Sequence, residues 1–263
     1  MIESLAVIRS GLEGQQTQMD VISNNLANIN TPGFKRSRAV FEDLLYQNAA
    51  QPGGFSSQTT NYPSGMQQGT GSNVVATEPI MTQGSLQQTG NALDLAINGS
   101  GYFQVLMPSG QIAYTRDGSF QLNAQGQVVT ANGYLVQPPI TLPHNAQSIT
   151  IGTDGTVSVQ IAGQTSAQSV GTVQLVNFVN PAGLQNQGDN LATQTEASGN
   201  PIPGQPTMNG LGSVSQGYLE GSNVQVVDEM IDMIATQRAY ELDTQAAKSI
   251  DSMLSSLNNA AAG

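Results

Sequence analysis

Apolar residues at Leu5, Ile8, Leu12, Met19, Ile22, Leu26 and Ile29 step alternately by three and four, with Gln15 at the one missing position. This a/d heptad, sustained over nearly four repeats, describes a helix that must bury one narrow seam against another helix. A second helix is expected at the far end of the chain, where Val226, Met233, Tyr240, Ala247 and Leu254 recur every seven residues and Ile250 and Leu257 fall between them on the same stripe. Neither is built to stand alone. Gly11 and Gly14 each cost the first helix about 0.8–1 kcal/mol relative to alanine, and a narrow stripe gives a lone helix little to bury. Packing must therefore hold both helices, and the pattern leaves open whether the same chain or another copy supplies the partner.

Taken in order, the chain changes character twice. The first helix should stop at Asn30-Thr31-Pro32-Gly33, because Pro32 disfavours helical geometry at Thr31 and Gly33 accepts positive φ. Phe34 to Tyr46 reads as a short amphipathic segment, and residues 46–72, rich in Gly, Pro, Gln, Ser and Thr, read as a long loop. From Val74 to Val179 the period becomes two. Runs at 93–97, 102–107, 112–116, 127–130, 148–152, 156–161 and 172–178 are separated by Asn98-Gly99, Ser109-Gly110, Asp117-Gly118, Gln125-Gly126, Asn132-Gly133 and Asp154-Gly155, which supply the positive φ of tight hairpins. Sequential strands without intervening helices imply an antiparallel meander or barrel-like β region. The predicted class is α+β. A polar stretch at about 181–213 leads to the second helix, with Ser222-Asn223 as the expected N-cap and Asp228 and Glu229 in its early turns.

Charge narrows the function classes. Residues 46–219 carry six acids and one base, whereas residues 220–263 carry seven acids and two bases, within a net charge of −11. Nucleic acid is excluded as a partner, because phosphate binding needs clustered cations and the one basic knot is Lys35, Arg36 and Arg38. No cysteine is present, and no apolar stretch approaches the length of a membrane span. Glu3 stands where a secretory leader would be basic, so no cleaved signal is expected.

Little chemistry is written in the chain, and no cofactor or metal is expected. His144, the single histidine, has no identifiable partner and is expected in a solvated loop. Asn98-Gly99-Ser100-Gly101 lacks the third glycine and the helix of a dinucleotide fingerprint and reads as a β-turn. Asp94, Asp117 and Asp154 sit at turn signals, where Asp bonds backbone; an enzyme of the cell wall would need two of them paired in a cleft. A secreted β-rich adhesin or glycan-binding protein is a second alternative, favoured by the Asn/Gln/Ser/Thr-rich middle but leaving the two seams without a purpose.

Three ordered motifs add a resemblance. Gln15-Gln16 through Ser23-Asn24-Asn25-Leu26-Ala27-Asn28 and Thr31-Pro32-Gly33-Phe34-Lys35 resemble the N-terminal signature of bacterial flagellar rod and hook proteins. Gln83-Gly84-Ser85-Leu86 with Leu93-Asp94-Leu95-Ala96-Ile97 resembles the family's second signature, and Gln216-Gly217-Tyr218-Leu219-Glu220-Gly221-Ser222-Asn223-Val224 with Gln237-Arg238-Ala239-Tyr240-Glu241 its C-terminal one. Within the family, Arg38 to Gln47 and the insertion at 46–63, with Tyr46, Pro52, Phe55, Tyr62 and Pro63, resemble distal rod members rather than proximal rod or hook members, which remain the alternative. The resemblance implies a discontinuous inner domain of terminal coiled-coil helices (1–35 and 220–263), a linking region (36–92 and about 180–219) and a β-rich outer domain (93–179). It further implies helical self-assembly, contacts with other rod proteins, the hook protein and the P and L rings, and uncleaved passage through the type III export apparatus to the periplasmic and outer-membrane level of the basal body.

Overall fold

The computed structural model describes residues 2–50, 64–164 and 166–262. Two helices close the chain, α1 (Ile2–Ala27) and α2 (Val226–Ala262). Between them run β1 (Ser37–Asp43), β2 (Gln47–Ala50), β3 (Met66–Gln68), β4 (Ser72–Pro79), β5 (Leu86–Gln88), β6 (Leu95–Asn98), β7 (Tyr102–Leu106), β8 (Ile112–Thr115), β9 (Gln121–Leu122) and β10 (Val128–Val129). They are followed by β11 (Leu135–Gln137), β12 (Ala146–Ile151), β13 (Thr156–Ile161), β14 (Gln168–Thr172), β15 (Leu175–Asn177), β16 (Gln185–Gly188), β17 (Leu191–Thr193), β18 (Ile202–Gly204), β19 (Ser213–Gln216) and β20 (Tyr218–Glu220). The fold is α+β. The chain forms two units, residues 1–26, 37–78 and 225–263 in one, residues 27–36 and 79–224 in the other.

In the helical unit α1 and α2 lie side by side and antiparallel. Gln15 Nε2 donates to Asp243 Oδ2 (3.0 Å) and Asn25 Nδ2 donates to Glu229 Oε2 (3.1 Å), so rising numbers on one helix meet falling numbers on the other. A ribbon made of β1 with β4 and β2 with β3 completes this unit. It corrects the expectation of unbroken loop over 46–72, because Gln47 pairs with Gln68 and Asn48 with Gln67. Alternating burial was too weak there to signal strands, since β3 is exposed throughout.

In the β unit, β16, β17, β8, β7, β11, β10 and β9 follow one another across an antiparallel sheet, with β15 bonded to β7 and β18 to β15. The meander β12-β13-β14 and the pairs β6-β19 and β5-β20 complete it. Alternation produces the core directly: Phe103 and Val105 of β7 and Val157 and Val159 of β13 point inward together with Ile97, Leu175 and Val214. Phe103 meets Phe120 edge-on at 5.1 Å, the offset geometry that ring quadrupoles favour. One expected run breaks in two. Residues 172–178 span the end of β14 and all of β15, which belong to different sheets, because Val173 is buried while its N–H bonds the Gly155 carbonyl at the crossing.

Of the expected hairpin glycines, Gly110, Gly126, Gly133 and Gly155 turn between paired strands, Gly99 has positive φ but links β6 to β7 of another sheet, and Gly118 departs further. It has no positive φ; instead Leu95 N–H donates to its carbonyl (3.0 Å), and a Cβ there would collide with the Leu95 carbonyl. This glycine is required for close approach of two backbones rather than for a turn.

Candidate assembly site

Burial varies along the stripe read from the sequence. Ile22 is buried and Leu5, Ile8, Leu12, Met19 and Leu26 are half-buried, as are Met233, Tyr240, Ala247, Ile250 and Leu254. Val226, the first residue of α2, is exposed, and the Leu257 side chain lies outside the described residues. Ile29 is not helical. α1 ends at Ala27, earlier than Asn30-Gly33 suggested, and the chain turns with Thr31 N–H donating to the Asn28 carbonyl.

Polar residues on the same stripe fix the register. Glu229, Thr236 and Asp243 recur every seven residues between the apolar members, and Glu229 is almost fully buried. Asn25, also buried, donates to Glu229 and to the Ser37 carbonyl and accepts from Ser37 N–H, so one side chain ties both helices to the start of β1. Counting apolar residues alone missed this row. Heptad spacing extended to charged members would have found it, because a carboxylate on a seam requires a donor opposite. Small residues set the close approaches: a Cβ at Gly14 would press on the Phe41 ring, and one at Gly71 on Ser10 Oγ.

The first turns of α2 expose a row of apolar side chains. Val227, Met230, Ile231 and Ile234 are 69, 51, 59 and 57% exposed, and at 3.6 residues per turn Val227, Ile231 and Ile234 project away from Met233, Tyr240 and Ala247 while Met230 flanks that row. No heptad reading of a single seam reveals this second face. The ribbon also exposes Leu45 and Tyr46 at the entry to the insertion. Tyr46 packs beside Gly69, while Pro52, Phe55, Tyr62 and Pro63 lie outside the described residues.

In the β unit the sequence signatures converge on a buried ionic cluster. The Glu220 side chain is fully enclosed and accepts from Lys35 Nζ and from Gly84 N–H, with Arg116 Nε 3.5 Å from its other oxygen. Lys35 also donates to the Thr82 carbonyl, and Arg116 donates to the Gly99 carbonyl and lies over the Tyr102 ring at 5.7 Å. Two cations face one carboxylate. Burial holds the Lys35 amine below its ordinary range against the pull of Glu220, and pushes the Tyr102 phenol up. Gly33, at φ +70°, sits where any side chain would strike Arg116, so the Thr31–Lys35 turn is moulded to the cluster. Asn223, expected as a cap, does not cap α2 but accepts from Arg36 N–H and donates to the Ile80 and Thr82 carbonyls, and among the described residues Ser222 Oγ accepts from Val224 N–H. The first α2 turn closes instead on the Gln225 carbonyl.

His144 is exposed. Asp94 accepts from Asn91, Asp117 from Ser119 and Asn190, and Asp154 from Thr156. Among the described residues no three His, Asp or Glu side chains are placed to hold a metal ion, and no helix is long and apolar enough to cross a membrane.

Three family models match the chain: "Flagella basal body rod protein" over residues 5–35, "Flagellar hook protein FlgE/F/G D1 domain" over 96–159 and "Flagellar basal body rod FlgEFG protein C-terminal" over 215–260. The flagellar basal-body rod protein FlgG of Buchnera aphidicola subsp. Schizaphis graminum is 54% identical over 98% of this chain and 99% of its own. The FlgG proteins of Caulobacter vibrioides and Bacillus subtilis are 47% and 38% identical, covering 96% and 98% of this chain and 97% and 99% of theirs. With kinship spanning nearly the whole of both chains, and with all three matched segments bearing the seam or the buried cluster, the chain belongs to the flagellar basal-body rod proteins, a family of structural subunits and not of enzymes.

Proposed function

We propose that this subunit polymerises helically into the distal part of the rod and acts as a straight drive shaft carrying torque to the hook. The observation that carries the reading is the uncovered face of α2. Four large apolar side chains within two helical turns are more than a solitary chain presents without purpose, and a different surface of the next copy covers them. A heterologous contact whose rotation does not close repeats into an open helical polymer. In this reading residues 1–35 and 220–263 form a coiled-coil inner domain, 36–92 and about 180–219 a linking region, and 93–179 an outer domain turning within the P and L rings. Proximal rod proteins and the hook protein are its neighbours along the axis, and it reaches the periplasm uncleaved through the type III export apparatus.

The insertion at 46–63 is proposed to brace adjacent subunits, with Tyr46, Phe55 and Tyr62 as anchors and Pro52 and Pro63 limiting its freedom. The test replaces Ile231 and Ile234 by Asp. Because both are exposed, the monomer should lose less than about 1 kcal/mol of stability, yet tube formation at high concentration should fail. Unimpaired tubes from the double variant would remove the basis of the proposal.

A further inference from the structure

We infer that the β unit carries a groove that binds an uncharged, hydroxyl-rich ligand, an oligosaccharide chain. The groove, about 560 Å³, lies along β8, β16 and β17 and reaches Pro201. Its walls present the carboxamides of Gln111, Gln185, Gln187 and Gln194, and no charged side chain lines it. A phosphate, carboxylate or metal ion would find no counter-charge there, and an apolar ligand would have to strip water from four amides. Sugar hydroxyls meet neither obstacle. A carboxamide carries two donors and an acceptor; apart from the Gln187 N–H taken by Thr193 Oγ1, these match vicinal hydroxyls that both donate and accept, while Ile112 and Pro201 offer apolar surface to the C–H side of a pyranose ring.

The second observation is Tyr114. It is 3% exposed, its ring is fixed edge-on against Phe178 at 4.8 Å, and it lines the groove. Its hydroxyl makes no hydrogen bond to the described residues and is left to solvent at the groove. A rigidly packed phenol whose hydroxyl opens on the groove supplies a pre-oriented donor for a ligand. A polar peptide strand adding to the sheet edge is the rival occupant, and the edge resists it. The pairing of β16 slips between Asn186 and Gly188, and Gly188 has φ +92°, so the edge is bulged where a flat ladder would be needed.

The test uses the full chain at concentrations where it is unpolymerised, so that its result is independent of the rod reading. Titration calorimetry with chitohexaose, and separately with cellohexaose, distinguishes N-acetylated from plain glycans. At least one should bind, with Gln185→Ala/Gln187→Ala raising the dissociation constant about tenfold and Tyr114→Phe, which keeps the ring packing, raising it several-fold, the worth of one or two hydrogen bonds. Binding by neither sugar overturns the inference, as does binding indifferent to both sets of changes in variants whose thermal unfolding matches the parent. Capture of a glutamine-rich strand peptide in place of both sugars overturns it in favour of edge pairing.

Discussion

Replacing Glu220 by Gln should damage this protein more than replacing either cation that faces it. The Glu220 carboxylate is fully enclosed and holds Lys35, Gly84 N–H and, at 3.5 Å, Arg116, whose own side chains are less than a tenth exposed. Gln keeps the shape but leaves two buried cations without a counter-charge, a loss of about 3–5 kcal/mol. Lys35→Met removes one of two cations and leaves the carboxylate paired with Arg116 and Gly84, while the Thr82 carbonyl keeps the donation from Asn223, so it should cost only about 1–2 kcal/mol. At about 2–4 °C per kcal/mol for a unit of this size, the two changes lower the melting point of the β unit by about 6–20 °C and 2–8 °C. The double variant should be more stable than Glu220→Gln alone, because it buries one fewer unpaired charge. The assay is thermal unfolding followed by near-ultraviolet dichroism of the tyrosines. If Lys35→Met destabilised as much as Glu220→Gln, or the double variant were the sum of the singles, the cluster would not be governed by its excess positive charge.

Three further outcomes follow from the same geometry. The Lys35 amine is held below its ordinary 10.5, so between its folded value and 10.5 the unfolded chain binds more protons and stability should rise with pH; Tyr102 and Tyr114 are held above 10.0, so stability should fall again past that point, and Lys35→Met should abolish the rise alone in urea titrations across this range. Asn25→Asp sets a second carboxylate against Glu229 and forfeits its donation to Ser37, which should loosen the α1–α2 pair by about 3 kcal/mol or more while the β unit keeps its own transition, as hydrogen exchange would resolve. Deleting residues 46–63 should leave a chain that still polymerises, into tubes that bend more in electron micrographs, and parent-like stiffness would end the bracing proposal.

The helices and the alternating strands were legible because periodicity is a local property. Leu5 to Leu26 and Met233 to Leu254 announce helices by spacing alone, and the runs around Phe103 and Val157 announce a sheet. What escaped depends on partners distant in sequence. Asn223 has the composition of an N-cap, yet its side chain is drawn off to Arg36, Ile80 and Thr82. Gly118 looks like a turn glycine and is instead a contact between backbones. Lys35, Arg116 and Glu220 lie far apart in a chain with seven Lys and Arg, and that scarcity was the available hint that a cation inside a signature has a buried partner. The uncovered face of α2 was hidden for another reason: Val227, Ile231 and Ile234 interleave with the seam, so counting one stripe absorbs the other.

The central claim is that the chain assembles with copies of itself through its helical unit. Concentrating the purified full chain and imaging it by electron microscopy tests this most directly. The account predicts hollow tubes whose averaged images show a helical repeat and helices innermost. A chain that stays monomeric at every concentration, or closes into small rings or dimers that leave the Val227–Ile234 face exposed, would contradict it.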